Sequence, residues 1–145
     1  MKYIIASGYF DPLHPGHLNM LEEAKEYGDE LIVIVNNDRQ ANIKKGYNFM
    51  NEKDRCKIIK SLKIVDRVVL SHDEDKSVRE TLASIFHSVD FNDEDEWIFA
   101  NGGDRKEDEI PETEVCDALG IEMYFDVGGG KYASSSELIN KVKKT

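Results

Sequence analysis

The sequence is poor in cysteine, in long apolar runs and in positive charge. Its two cysteines, Cys56 and Cys116, lie far apart with no CxxC pair, which excludes a disulfide framework and a cysteine zinc site and predicts a reducing, cytoplasmic setting. No stretch approaches the roughly 20 apolar residues that span a bilayer. The apolar start MKYIIAS is broken by Gly8 and Asp11 too soon for a signal peptide and reads as a buried strand. Lysine and arginine number 19 against 29 aspartates and glutamates, a formal net charge of -10. That balance argues against a nucleic-acid backbone or an anionic membrane as partner. An anionic ligand must therefore be held by a local cluster of donors, against the field of the whole chain. The first loop also lacks G-x-G-x-x-G, which counts against a dinucleotide-binding or electron-transfer domain.

What is present is an alternation of apolar runs and periodic segments over 145 residues, 40% of them hydrophobic, which suits a single domain spanning 1–145. KYIIAS reads as a first strand. HLNMLEEAKEYG reads as a helix with Leu18, Leu21 and Ala24 on helical spacing and Gly28 as its C-cap. ELIVIVN is a β-branched run typical of a strand covered on both faces, hence of a parallel sheet. DRQANIKKGYNFM predicts a short helical turn and a loop, and NEKDRCKIIKSLK a helix in which Asn51 and Asp54 form the cap. DRVVLS is a third strand, and SVRETLASIFHSV a helix with Val78, Leu82, Ile85 and Phe86 on one stripe. DFNDEDE is a solvated acidic loop, EWIFAN a fourth strand, PETEVCDALG a helix closed by Gly120, IEMYFDV a fifth strand and SSELINKVKK a last helix. The expected fold is α/β, a Rossmann-like doubly wound parallel five-stranded sheet.

Right-handed crossovers would gather the strand-to-helix loops on one edge of that sheet, where ligands of open parallel sheets sit. Three of those loops share a chemistry: GYFDPLHPGH after the first strand, NGGDRK after the fourth and GGGKYASSS after the fifth are rich in glycine and donors. Glycine lets backbone approach an oxyanion, and amides at a helix start point at it with the dipole behind them. His14 and His17 flank the first helical turn, Pro15 stands where a missing N–H costs nothing, and Gly16 leaves room for a phosphate. Two imidazoles placed there are donors suited to charge building on a phosphoryl group. The competing readings are a zinc pair, for which no third ligand of known spacing appears, and a structural pair satisfied by backbone carbonyls.

GYFDPLHPGH resembles the HxGH signature of the nucleotidylyltransferase superfamily in the form G-x-F-D-x-x-H-x-G-H of its cytidylyltransferase-like branch. The likeness extends over LEEAKEYGDELIVIVNND, the helix carrying EKDR, VDRVVL, the NGGDR loop and YASSSELI. Heptose 1-phosphate adenylyltransferase domains and glycerol-3-phosphate cytidylyltransferases are the most similar groups. Two departures concern the acceptor: the family's Arg-Pro is replaced within GYNFMNEKDR, and the basic residue before the hydroxyl cluster is represented by Lys131.

The resemblance implies a nucleotidyltransferase that moves a nucleoside monophosphate from CTP or ATP to a small phosphorylated sugar or polyol and releases pyrophosphate, with no protein nucleophile. It implies that His14 and His17 donate to the triphosphate, that Gly8, Tyr9 and Phe10 supply backbone N–H groups, and that Gly16 lets the nucleotide close in. Lys44 or Lys45 is the candidate phosphate clamp, and Arg55 has either a site role or an ordinary ion pair on its helix. Asp11 orients the first loop by capping. Gly102 and Asp104 face ribose, base or acceptor, while Ser134, Ser135 and Ser136 form a second anion site for the β and γ phosphates. Mg2+ would come with the nucleotide and need no protein ligand. A homodimer is implied because relatives of this size often form one. The rival function is a nucleotide-binding sensor of the same fold that does not turn over.

Overall fold

The computed structural model describes residues 1–88, 94–102 and 110–128. Among the described residues the elements follow in the order β1 (Lys2–Gly8), α1 (Pro15–Glu26), β2 (Glu30–Val35), α2 (Asp38–Lys45), α3 (Glu52–Lys60), β3 (Arg67–Leu70), α4 (Arg79–Ser88), β4 (Glu96–Ala100), α5 (Thr113–Leu119) and β5 (Glu122–Tyr124), with strand and helix alternating except for the consecutive α2 and α3. All strand pairs are parallel and the sheet order is β3-β2-β1-β4-β5, the doubly wound arrangement that the patterning predicts. The expected last helix and most of the acidic loop lie outside the described residues.

The period of two along β1 sorts its side chains into two cores. Ile4 and Ala6 meet Leu21, Ala24 and Ile59 of α1 and α3, while Tyr3 and Ile5 meet Leu82, Ile85 and Cys116 of α4 and α5. Both faces of β2 are covered, so Leu31 to Val35 are all buried. Of the predicted stripe, Leu82 and Ile85 are buried on α4 and Val78 is buried just before it. The cysteines are free, and no described helix is long and apolar enough to cross a membrane.

Two local readings need correction. DRQANIKK forms a full helix rather than a single turn, because Asn37 Oδ1 accepts from Gln40 N and Gln40 Oε1 accepts from Asn37 N, closing a capping box. Gly28 is not the C-cap of α1, which ends at Tyr27; instead a Cβ on Gly28 would lie 2.8 Å from Ile4 Cδ1, so the residue lets β1 pack against that turn. Gly120 does close α5, at φ 75°.

Strand order reverses between β1 and β4, so the crevice of this sheet opens at their carboxyl ends. Gly8, at the end of β1, and Asn101, just after β4, both stand there.

Candidate active site

The loop from Tyr9 to His14 turns β1 into α1, and its backbone is bent by contacts that the sequence specifies. Phe10 has φ 52°, unusual for a bulky residue, and its buried ring closes over Gly8, where an added Cβ would lie 2.7 Å from Phe10 Cζ. The ring then supports His17 edge-on at 5.1 Å.

His14 is the N-cap of α1. Its Nδ1 accepts from Gly16 N at 3.1 Å, and His17 Nδ1 accepts from His14 N at 3.2 Å, a capping box built from two imidazoles. The rings stack with centroids 3.7 Å apart. This geometry fixes the chemistry. A nitrogen that accepts carries no proton, so in each ring the proton belongs on Nε2 and is available as a donor beyond the cap. The structural reading expected backbone carbonyls as partners; the two Nδ1 atoms accept from backbone N–H groups instead, which leaves Nε2 of each ring outside the cap. Among the described residues no cluster of three or more metal-ligating side chains gathers, so the zinc reading finds no third ligand there.

Burial, then the neighbouring His14 and Lys44, lowers the pKa of His17 from 6.5 to about 4. His17 is therefore a neutral donor at neutral pH. In the unfolded chain the ring binds a proton near its ordinary value of about 6.5, so the stability that depends on its neutral form is complete above that pH and is lost as pH falls towards about 4. Urea midpoints measured at pH 7, 5.5 and 4 should fall across that window, and a His17→Asn variant should lose this part of the slope.

Gly16 is required by the first histidine more directly than by a phosphate. A Cβ there would lie 2.9 Å from His14 Cε1 and 3.2 Å from its Nδ1. Gly16→Ala should push the His14 ring off its cap and lower turnover about tenfold, with about 1 kcal/mol lost in thermal unfolding.

Around this turn lies a cavity of about 620 Å3, lined by Ser7, Gly8, Tyr9, Phe10, Asp11, Pro12, His14, Gly16, His17, Met20, Lys44, Lys45, Gly102 and Val127. Every predicted site residue of the first loop is among them, together with both lysines and Gly102. The start of α1 carries no acidic residue in its first turn, which leaves its dipole unopposed for an anion. Asp104, Lys131, Ser134, Ser135 and Ser136 lie outside the described residues.

The two lysines differ. Lys45 Nζ is 2.8 Å from Asp11 Oδ2, whereas Lys44 Nζ stands 4.5 Å above the Tyr9 ring centroid. Asp11 also accepts from Phe49 N at 2.8 Å and from Met50 N at 2.6 Å, so it ties the α2–α3 loop to the first loop. Burial alone would raise its pKa, but the Lys45 ammonium and the two amides outweigh this and hold it below the usual carboxylate range.

Arg55 is completely buried, and the carboxylate it pairs with is Asp38 of α2 rather than a neighbour on the arginine's own helix. Its Nε donates to Met50 O at 3.0 Å, its Nη1 to Tyr9 O at 2.8 Å and Asn36 O at 2.6 Å, and its Nη2 to Asp38 Oδ1 at 2.7 Å. One guanidinium thereby joins the ends of β1 and β2 to the α2–α3 loop.

A second cavity of about 640 Å3 adjoins the first, on the α4 and α5 side of the sheet. It shares Ser7, Gly8, Tyr9 and Lys44 with the first and adds Asn36, Lys76, Val78, Phe99, Asn101, Pro111 and Glu112. Glu112 is buried and accepts from Val78 N at 2.8 Å. The Tyr9 hydroxyl is shielded from solvent and has no hydrogen-bond partner among the described residues. Asn36 and Asn101 line this cavity but were not singled out from the sequence as individual residues, although each is a polar side chain placed directly after an apolar strand.

Known proteins resemble this chain over most of its length. A crystal structure titled lipopolysaccharide core biosynthesis protein, from Thermoplasma volcanium, superposes with a TM-score of 0.65 at 33% identity, over 86% of this chain and 93% of that one. The FAD synthase of Methanocorpusculum labreanum is 35% identical over 97% of this chain and 95% of its own length. That of Thermoplasma acidophilum is 33% identical over 99% and 93%. The cytidylyltransferase-like family profile matches residues 5–126, so the chain belongs to the cytidylyltransferase-like family and is a nucleotidyltransferase.

Proposed function

We propose that this chain transfers the adenylyl group of ATP to the phosphate of flavin mononucleotide, forming FAD and pyrophosphate. The observation that carries the reading is the pair of adjoining cavities at the switch point of the sheet, one with the imidazole pair and one without, meeting at Ser7, Gly8, Tyr9 and Lys44. Two substrates that react directly can occupy two such compartments and meet at the common wall. The relatives named FAD synthase support the choice of acceptor. The acceptor expected from the sequence, a small phosphorylated sugar or polyol, finds no support in these relatives, whose name suggests a flavin instead.

In this reading the triphosphate lies over the start of α1. An oxygen of the acceptor phosphate attacks the α-phosphorus and forms the new P–O–P link. The bond from that phosphorus to the oxygen bridging to the β-phosphate breaks, and pyrophosphate leaves. His14 and His17 donate through Nε2 to the oxygens that gain charge, with the helix dipole behind them. The acceptor phosphate is already ionised at neutral pH, so no general base is required. The second cavity, within the usual range of about 300–1,000 Å3 for ligand sites, offers Val78, Phe99 and Pro111 to the flat rings and Asn36 and Asn101 to polar groups.

Magnesium fits as a companion of the triphosphate, neutralising charge on the leaving pyrophosphate. Among the described residues the carboxylates lining the two cavities are engaged, Asp11 by Lys45 and two amides and Glu112 by Val78 N, so phosphates and water would hold the ion.

Pyrophosphate release should be measured with ATP and with CTP, each alone and with flavin mononucleotide, a polyol phosphate or a sugar phosphate. The expected result is pyrophosphate and FAD from ATP with flavin mononucleotide. Release with a sugar phosphate instead would overturn the acceptor, and nucleotide binding without release under any condition would favour the sensor.

A further inference from the structure

The family pattern assigns Tyr9 only a backbone N–H, yet this residue lines both cavities and its ring lies beneath an ammonium. Lys44 Nζ lies 4.5 Å from the centroid of the Tyr9 ring. Lys44 is exposed in the last turn of α2, and its flexible four-carbon stem would otherwise let the ammonium sweep through solvent. A cation over an aromatic face at an exposed site is favoured by about two- to fivefold over its unattached positions. The ring is itself well placed to act as a fixed support. The Tyr9 carbonyl accepts from the buried Arg55 at 2.8 Å, and the next residue, Phe10, is buried with its ring over Gly8. Lys45 cannot substitute where it stands, since it is paired with Asp11.

We propose that Tyr9 is a positioning residue for Lys44, its ring holding the ammonium at the boundary between the two cavities so that it meets the polyphosphate there. The inference rests on the first cavity taking a polyphosphate; it is independent of the base and of the acceptor.

The test is calorimetric titration of the full chain with magnesium tripolyphosphate, which carries neither base nor acceptor. Lys44→Met should weaken binding about tenfold, a loss in the range for a charge-assisted contact. Tyr9→Phe keeps the ring and should bind within about twofold of the unmodified chain, while Tyr9→Leu should bind about three- to fivefold more weakly. Because the ring acts through the ammonium, the double variant Tyr9→Leu, Lys44→Met should bind no more weakly than Lys44→Met alone. A purely structural tyrosine would instead give losses that multiply in the double variant. The proposal is overturned if Lys44→Met or Tyr9→Leu binds normally, if Tyr9→Phe is as weak as Tyr9→Leu, or if the two losses multiply. Turnover with flavin mononucleotide, measured on the same proteins, separates the two readings: coupling without FAD formation would sink the acceptor and leave Tyr9 in its role.

Discussion

His17→Asn is expected to lower kcat at least a hundredfold and leave the fold in place. The asparagine Oδ1 can take over from Nδ1 as acceptor for His14 N, so the capping box survives. What it cannot reach is the position of Nε2, the donor aimed past the cap. Removing one donor to a charge that builds in the transition state costs about 10²–10³ in rate. His17→Ala should show the same kinetic loss together with about 0.5–2 kcal/mol of stability, because it removes the cap as well. The contrast between the two variants separates the roles of the two ring nitrogens, and a circular dichroism melt beside the kinetic assay reads both.

The sheet was legible because its signals are local and strong. ELIVIV can be buried on both faces only in a parallel sheet, and the stripe Val78, Leu82, Ile85 needs one apolar neighbour layer. The first loop was legible for a different reason: proline at N1, glycine beside it and two flanking histidines is a combination with few structural uses. What stayed hidden depends on pairing at long range. Nothing local says that Lys45 meets Asp11 while Lys44 meets Tyr9, since the two lysines are adjacent and only the rotation of α2 tells them apart. Arg55 looked like a surface residue because its neighbours Lys53, Asp54 and Lys57 are charged; its burial goes with carbonyls from two distant segments, at Tyr9 and Asn36, beside the local one of Met50.

Arg55→Met is expected to destabilise the protein by about 3–5 kcal/mol, the usual result of removing one partner from a buried charged network. Methionine can fill much of the volume, but it leaves the carbonyls of Tyr9, Asn36 and Met50 without their donor and Asp38 without its cation. Against a total stability of about 5–15 kcal/mol that loss is large, and the melting temperature should drop by about 10 °C or more. Arg55→Lys should rescue little, since a single ammonium cannot span acceptors that the guanidinium fork reaches from three nitrogens. Activity measured well below the melting temperature should also fall, because the same side chain sets the first loop against the end of β2.

The central claim is that His14 and His17 each hold a proton on Nε2 and offer it to the polyphosphate of a nucleotide. Long-range proton–nitrogen NMR spectra of the histidine rings at pH 7, recorded before and after addition of magnesium ATP, test it most directly. The account predicts that both rings carry their proton on Nε2 in the free protein and that these two Nε2 signals shift on addition of the nucleotide while Nδ1 continues to accept from the backbone. Protons found on Nδ1, or Nε2 signals that ignore a bound nucleotide, would contradict it.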